Sequence, residues 1–150
     1  MLTNQLTTEA AYPYVSGNGV VPACSWNGQG VVNTVTDASG NYYISAARNT
    51  AAIQAAVNVK PSSIAVHAAS SVFQSYQSGV VTSNSGCGVI VDHAILAVGY
   101  GTDPVYGDYF LVQNSWGTSW GDQGYIKLGA ATTVYGTCGM YQNVAYPLTN

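Results

Sequence analysis

His93 and Asn114 are the first candidates for chemistry in this sequence. His93 follows Asp92 and opens the apolar run Ala94–Val98, so its imidazole is expected at the exposed end of a buried strand. By itself, such a histidine is more often structural than catalytic. Asn114 changes that balance, because its side-chain oxygen can accept a ring N–H and thereby fix the tautomer that a proton-exchanging histidine needs.

Other chemical patterns in the chain are incomplete. The segment Gly117-Thr118-Ser119-Trp120-Gly121 matches the nucleophile turn of α/β-hydrolases, but the histidine that should follow Ser119 is missing, so we interpret it as a glycine-rich loop. Only His67 and His93 could supply imidazole ligands, and no two cysteines are closely spaced, so no metal site is expected. No Gly-x-Gly pair continues into a dinucleotide-binding pattern, and we predict no cofactor.

Helical signals are few. Arg48–Val59 carries apolar residues at helical spacing and stops before Pro61, which predicts an amphipathic helix with Thr50 as its N-cap candidate. Val72–Tyr76 is expected to form a short turn of helix or an irregular segment. The sequence therefore predicts only a small helical content.

Strand signals dominate the rest of the chain. Apolar or alternating runs predict strands at Val31–Val35, Ile64–Val66, His93–Tyr100, Tyr109–Gln113 and Gly124–Leu128. Gly99 and Gly101 are expected to end the third of these, and residues 4–30 are expected to be irregular. Because no βαβ alternation occurs and no linker divides the chain, the pattern favours one β-rich α+β domain.

Charge is scarce along the whole chain. Only 6% of the 150 residues are charged, and three Lys or Arg residues face six Asp or Glu residues. A basic surface for nucleic acid or anionic lipid is therefore not expected, and no apolar run approaches the roughly 18 residues of a membrane span. The N-terminus lacks the basic start and apolar stretch of a secretory signal.

Three segments carry a resemblance to a known family: residues 91–101 (VDHAILAVGYG), 109–121 (YFLVQNSWGTSWG) and 124–127 (GYIK). They resemble, in the same order, the histidine and asparagine segments of papain-like cysteine peptidases of the cathepsin L type. Residues 8–14, Cys24 and residues 138–147 are similar to flanking segments of that family. The resemblance implies an α+β papain-like fold, mainly its C-terminal β-barrel-like half with one or two short helices.

The resemblance also implies roles for individual residues. His93 matches the catalytic histidine, which forms a thiolate–imidazolium pair with a cysteine, and Asn114 matches the asparagine that orients its ring. Trp116 matches the residue that shields the His–Asn hydrogen bond from water, and Trp120 packs near it. The implied activity is proteolysis of a peptide or protein substrate by a cysteine-type peptidase.

Three further positions match the family pocket for the second substrate residue before the cleaved bond. Ala65 and Val91 would line that pocket, and Asn143 would lie at its base. This lining favours an aliphatic or aromatic substrate side chain above a polar floor. His67 lies beside the same strand, matches no catalytic position and is expected to be a partly exposed surface residue.

The family's nucleophilic cysteine has no match in this chain. It lies roughly 130–150 residues before the catalytic histidine, which is about 37 to 57 positions before Met1. Cys24 instead matches a structural half-cystine. We therefore expect residues 1–150 to be the C-terminal portion of a peptidase domain, completed by an N-terminal portion that bears the nucleophile and the partner of Cys24.

Two other functional classes remain as alternatives. One is a catalytically inactive papain-like module with a structural or binding role, in which the histidine and asparagine persist by descent. The other is a disulfide-linked adhesion or sugar-binding β domain, which the length of the matched motifs disfavours. The upstream coding sequence would separate the active from the inactive form.

The cysteines help to predict the cellular compartment of the protein. Cys87 and Cys138 match a pair that the family bridges within its C-terminal portion, and the alternative is that all three cysteines are reduced and buried. A disulfide together with the family implies a lysosomal, vacuolar or extracellular location.

Overall fold

The computed structural model describes residues 4–35, 42–44 and 48–147. The chain forms two compact units, one made of Met1–Tyr43 with Pro147–Asn150 and the other of Ile44–Tyr146. Of the cysteines, histidines and other site residues named from the sequence, only Cys24 belongs to the first unit. The candidate site can therefore be described within the second unit alone.

The first unit contains a two-stranded antiparallel sheet. β1 (Asn4–Thr7) pairs with β2 (Val31–Val35), and the Thr7 hydroxyl donates to the Gly30 carbonyl at 2.8 Å. β2 has its predicted bounds. β1 shows that the expectation of irregular structure throughout residues 4–30 was wrong, because its hydrogen bonds come from a strand distant in sequence. A further strand, β3 (Tyr42–Ile44), spans the point in the sequence where this unit ends.

Six strands of the second unit lie side by side. They are β4 (Ser62–Val66), β5 (Val80–Val81), β6 (His93–Asp103), β7 (Gly107–Gln113), β8 (Tyr125–Gly129) and β9 (Val144–Pro147). Their order across the sheet is β9-β4-β6-β7-β8-β5. The β5–β8 pair is parallel and the other pairs are antiparallel, so the sheet is mixed. In the described residues it is open and does not close into a barrel.

In the described part of the chain, two α-helices and one 3₁₀ turn accompany this sheet. They are α1 (Thr50–Val59), α2 (Ser71–Gln74) and the 3₁₀ turn Thr137–Gly139. The N-cap of α1 is Asn49, whose side chain accepts the Ala52 N–H at 2.9 Å, and not Thr50 as predicted. The Thr50 hydroxyl instead shares a 2.7 Å hydrogen bond with the Tyr141 hydroxyl, a partner that only tertiary folding supplies.

The core of the second unit follows the alternation of its strands. The inward strand residues Ile64, Val66, Phe110, Val112, Ile126 and Leu128 are each at most 1% exposed, and Ile53 of α1 is fully buried beside them. Burial of apolar area of this kind is the dominant favourable term in folding. The α+β class predicted from the sequence is confirmed, with strands as the main component.

β6 is longer than its sequence predicts. It continues through Gly99 and Gly101 to Asp103, because β7 pairs alongside it and places Tyr109 opposite Gly101. A Cβ on Gly101 would lie 2.9 Å from the Tyr109 hydroxyl oxygen, so glycine here permits a close approach and does not end the strand. The expectation that Gly99 and Gly101 end β6 was wrong, because both residues pair with β7.

Candidate active site

His93 and Asn114 are joined by the geometry of one strand pair. His93 is the first residue of β6, and Asn114 directly follows the last residue of β7. Because these strands are antiparallel, the start of one lies beside the end of the other. Asn114 Oδ1 lies 2.9 Å from His93 Nε2, which is a hydrogen-bonding distance.

A second donor fixes the orientation of the Asn114 amide. Its Oδ1 also accepts the backbone N–H of Ser115 at 2.8 Å, so this atom is the acceptor and the hydrogen of the His93 ring lies on Nε2. Nδ1 of His93 then carries the free lone pair, and no residue of the described part hydrogen-bonds to it. In the neutral ring this arrangement leaves Nδ1 available as a hydrogen-bond acceptor.

Aromatic rings pack around His93. Trp116 stacks on the His93 imidazole with a centroid distance of 5.1 Å and an interplanar angle of 27°, while Asn114 is only 9% exposed. Trp120 meets Trp116 edge to face at 5.4 Å. Asn114 is thus largely removed from solvent, and its hydrogen bonds are electrostatically stronger there than in water.

Phe73 is a site residue that the sequence did not reveal. It is fully buried in α2, stacks on Trp120 at 5.0 Å and approaches the His93 ring edge to face at 6.5 Å. The Trp120 indole N–H donates to the Gln74 carbonyl at 3.2 Å, which ties the same helix to the tryptophan. Residues 72–76 showed only a weak helical pattern, so no signal in the sequence indicated this contact.

Asp92 was noted in the sequence only as a neighbour of the histidine. Its two carboxylate oxygens accept the N–H groups of Ala68 at 2.7 Å and Ala69 at 3.1 Å, and its own N–H donates to the Val66 carbonyl at 3.0 Å. These bonds tie the connection between β4 and α2 to the residue before His93. Asp92 therefore supports the position of the histidine from outside the ring.

The three residues predicted to line a substrate pocket lie on neighbouring segments. Ala65 is opposite Ala94 in the β4–β6 pair, and its N–H donates to the Asn143 carbonyl at 3.2 Å. Val91 packs against Gly139, where an added Cβ would lie 2.8 Å from Val91 Cγ1. Ala65 and Val91 are half-buried and Asn143 is exposed.

Gln142 links the two loops that carry Val91 and Asn143. Its side-chain N–H donates to the Val89 carbonyl at 2.6 Å. The sequence did not mark this residue, because its acceptor is a backbone carbonyl far away in the chain.

The predicted disulfide between Cys87 and Cys138 is confirmed, with a Cα–Cα distance of 5.1 Å and both residues buried. His67 lies next to it, since the His67 N–H donates to the Cys138 carbonyl at 2.8 Å. The His67 side chain is half-buried, as expected for a partly exposed residue. Its Nδ1 is buried without a hydrogen-bond partner in the described part of the chain and faces Gly88.

Cys24 is an exposed free thiol in the first unit. It lines a cavity of about 400 Å³ together with residues that include Tyr12 and Tyr14. The backbone N–H of Trp26, and after it the Tyr12 hydroxyl, lower the pKa of the Cys24 thiol because both donate to the sulfur. This gives the thiol more thiolate character than an isolated cysteine has.

The described residues contain neither a cluster of metal ligands nor a membrane-spanning helix. Within residues 4–35, 42–44 and 48–147, no three histidine, cysteine or acidic side chains come together as metal ligands. In the same ranges no helix has the length and apolar character needed to cross a membrane.

Comparison with known proteins decides the family. The model of the family described as papain family cysteine protease matches residues 1–148. The chain belongs to the papain family of cysteine proteases. The resemblance drawn from its histidine and asparagine segments is thereby confirmed.

Two curated relatives illustrate this membership. The chain is 41% identical over 145 residues to digestive cysteine proteinase 2 of Homarus americanus, covering 97% of this chain and 42% of that protein. It is 39% identical over 143 residues to a cathepsin L-like peptidase of Aedes aegypti, covering 95% of this chain and 40% of that protein. The chain thus spans less than half the length of these relatives.

Solved structures of this family share the fold. The bromelain protease of Ananas comosus, solved in complex with the E64 inhibitor, superimposes with a TM-score of 0.76 at 30% identity, covering 98% of this chain and 64% of that one. The Carica candamarcensis cysteine protease CMS1MS2, in complex with E-64, gives a TM-score of 0.78 at 31% identity, covering 97% and 63%. The predicted papain-like fold is confirmed.

Proposed function

We propose that this chain supplies the histidine and asparagine of a Cys-His-Asn peptidase whose nucleophilic cysteine lies outside residues 1–150. The observation that carries the proposal is the 2.9 Å hydrogen bond between His93 Nε2 and Asn114 Oδ1 beneath Trp116, in a chain of the papain family. His93 is the base, Asn114 orients its ring, and Trp116 with Trp120 excludes water from their hydrogen bond.

The tautomer of His93 defines its chemical role. With hydrogen on Nε2, Nδ1 can take the proton of a thiol, which leaves a thiolate beside an imidazolium. The thiolate attacks the peptide carbonyl carbon, the imidazolium returns the proton to the leaving amine, and the C–N bond breaks to give a thioester. Water, deprotonated by the same Nδ1, then hydrolyses the thioester and restores the thiol.

The substrate is a peptide or protein, bound against the face formed by Ala65, Val91 and Asn143. Two of these side chains are small or apolar and half-buried, which suits an aliphatic or aromatic substrate residue. Asn143, which is exposed, adds a polar group to this face.

The parts outside this chain follow from the same proposal. Residues 1–150 form the C-terminal portion of the peptidase domain, and an N-terminal portion provides the nucleophile and a disulfide partner for the exposed Cys24 thiol. The Cys87–Cys138 disulfide supports residence in an oxidising setting, namely a lysosome, a vacuole or the extracellular space.

The decisive experiment starts upstream of Met1. The coding sequence there is read for a glutamine followed by Cys-Gly-Ser/Ala-Cys-Trp, and the extended protein is then expressed. We expect an active-site-directed epoxide inhibitor such as E-64 to label the extended protein on the upstream cysteine and to leave the 150-residue chain unlabelled. A Cys24→Ser variant of the 150-residue chain serves as the matched control, because with Cys87 and Cys138 bridged it has no free thiol and reports only background labelling.

Two results would overturn the proposal. Serine or glycine in place of the upstream cysteine would identify the inactive papain-like module instead. Labelling of Cys24 in the 150-residue chain would show that Cys24, and not an upstream cysteine, is the reactive nucleophile.

A further inference from the structure

Two Asn–Gly dipeptides lie in exposed turns of the first unit, Asn18-Gly19 and Asn27-Gly28. Both glycines have φ +82°, and an added Cβ would meet nothing within 4 Å at either. Both asparagine side chains fold over the following peptide, because Asn18 Oδ1 accepts the N–H two residues later at 3.0 Å and Asn27 Oδ1 does so at 3.1 Å. The local geometry of the two sites is therefore closely similar.

One hydrogen bond distinguishes them. The Gly19 N–H donates to the Ser16 carbonyl at 2.9 Å. The Gly28 N–H donates to no acceptor in the described part of the chain. This nitrogen is the reacting atom when an asparagine side chain cyclises onto its own backbone, so its hydrogen bonding controls the reaction.

We propose that Asn27 is a site of spontaneous deamidation in the folded protein, and that it reacts several-fold faster than Asn18. The Gly28 nitrogen loses its proton and attacks Cγ of Asn27, the bond from Cγ to the side-chain nitrogen breaks, and ammonia leaves. Water then opens either carbonyl of the succinimide ring, which yields aspartate or isoaspartate at position 27. The Gly19 N–H is engaged in its hydrogen bond to the Ser16 carbonyl, so this bond must break before the Gly19 nitrogen can attack Asn18.

The modification changes charge and backbone length together. It adds one negative charge to a chain whose net charge is −3. Isoaspartate also inserts a methylene into the main chain beside Trp26, whose ring meets Tyr12 edge to face at 5.6 Å. We therefore expect isoaspartate formation at position 27 to disturb the contact between Trp26 and Tyr12.

The test follows deamidation by peptide mass mapping and isomer separation after incubation of the native protein in mildly alkaline buffer. The Asn27 peptide is expected to convert several-fold faster than the Asn18 peptide. Asn49, which precedes Thr50, and Asn143, which precedes Val144, are internal controls that should stay intact, because β-branched neighbours hinder cyclisation.

A parallel incubation in concentrated urea tests the cause. Without folded structure the Ser16–Gly19 hydrogen bond is lost, and the two Asn–Gly peptides are expected to convert at similar rates. The proposal is wrong if the native protein converts Asn18 as fast as Asn27, if Asn27 stays as intact as Asn49, or if the difference between the two sites persists in urea. An Asn27→Gln variant should lose the faster part of the charge change and retain the slower part that comes from Asn18.

Discussion

Asn114 uses one oxygen for two donors, the His93 ring and the Ser115 backbone. Since the residue is 9% exposed, water cannot readily replace that oxygen. Leaving a buried donor without an acceptor costs about 1–3 kcal/mol. The Asn114 oxygen that orients His93 thus also satisfies the backbone N–H of Ser115.

Replacing Asn114 by alanine should therefore lower activity in the extended, inhibitor-reactive protein. We expect Asn114→Ala to reduce kcat/KM by roughly a hundredfold, within the range for a positioned acid–base group. The measurement is peptide hydrolysis under steady-state conditions. Gln113→Ala, at the exposed neighbouring position, should change kcat/KM little, and equal losses in both variants would contradict the proposed role of Asn114.

α2 shows how a short element supports the site. It has four residues, and its first turn is capped by the Ser70 hydroxyl, which accepts the Phe73 N–H at 3.2 Å. Phe73 in turn packs on Trp120 and His93. A helix of this length has little stability of its own, so its cap and its buried aromatic residue maintain it.

Loss of the Ser70 cap should lower the stability of the protein measurably. We expect Ser70→Ala to lower the free energy of unfolding by about 1 kcal/mol, the usual value for an N-cap. Urea denaturation monitored by tryptophan fluorescence provides the measurement. Ser71→Ala is the matched control, because that side chain is exposed; a control variant as unstable as Ser70→Ala would argue against capping.

The turn between β6 and β7 depends on Asp103. Its carboxylate accepts the N–H groups of Val105 at 2.9 Å and Tyr106 at 3.0 Å, and these bonds, Val105 first, lower the pKa of Asp103 below its usual value. A carboxyl group with a depressed folded-state pKa stabilises the protein above its unfolded-state pKa of about 3.9. That contribution is lost as the pH falls through the folded-state pKa.

Asp103→Asn should accordingly show a pH-dependent effect. We expect the wild type to have the higher Tm at pH values above the unfolded-state pKa of about 3.9, and the difference from Asp103→Asn to shrink as the pH falls below that value and through the folded-state pKa. Thermal denaturation at a series of pH values tests this. Asp122→Asn corrects for the general loss of a negative charge, and a difference that grows in acid would refute the expectation.

The disulfide acts at the scale of the whole second unit. Cys87 and Cys138 are separated by 51 residues, and the loop that they close contains β6, β7 and β8. Closing a loop of this length stabilises a fold by about 4 kcal/mol in the loop-entropy model. The disulfide also fixes the position of Cys138, whose carbonyl accepts the His67 N–H.

Removal of this bridge should lower stability more than any single substitution above. We expect the double variant Cys87→Ala with Cys138→Ala to lose about 4 kcal/mol of unfolding free energy. Urea denaturation of wild type with and without reductant should give a loss of similar size. Cys24→Ser is the control for reductant effects on the exposed thiol, and a loss in that variant as large as in the double variant would contradict the assignment.

Local sequence patterns predicted much of this architecture. The α+β class and the bounds of β2 were predictable because strand and turn patterns depend on neighbouring residues. The family was recognised from its histidine and asparagine segments, and the disulfide was implied by that resemblance. The short strands β1, β5 and β9 were not, because their hydrogen bonds come from partners distant in the chain.

The same distinction separates the parts of the candidate site. From the sequence, Asn114 was predicted to accept a hydrogen of His93, since each residue stands beside a recognisable strand. Phe73, Gln142 and the carboxylate contacts of Asp92 emerged only from the tertiary structure. Their partners are backbone groups or rings from other elements, and only packing of the whole second unit brings these within contact distance.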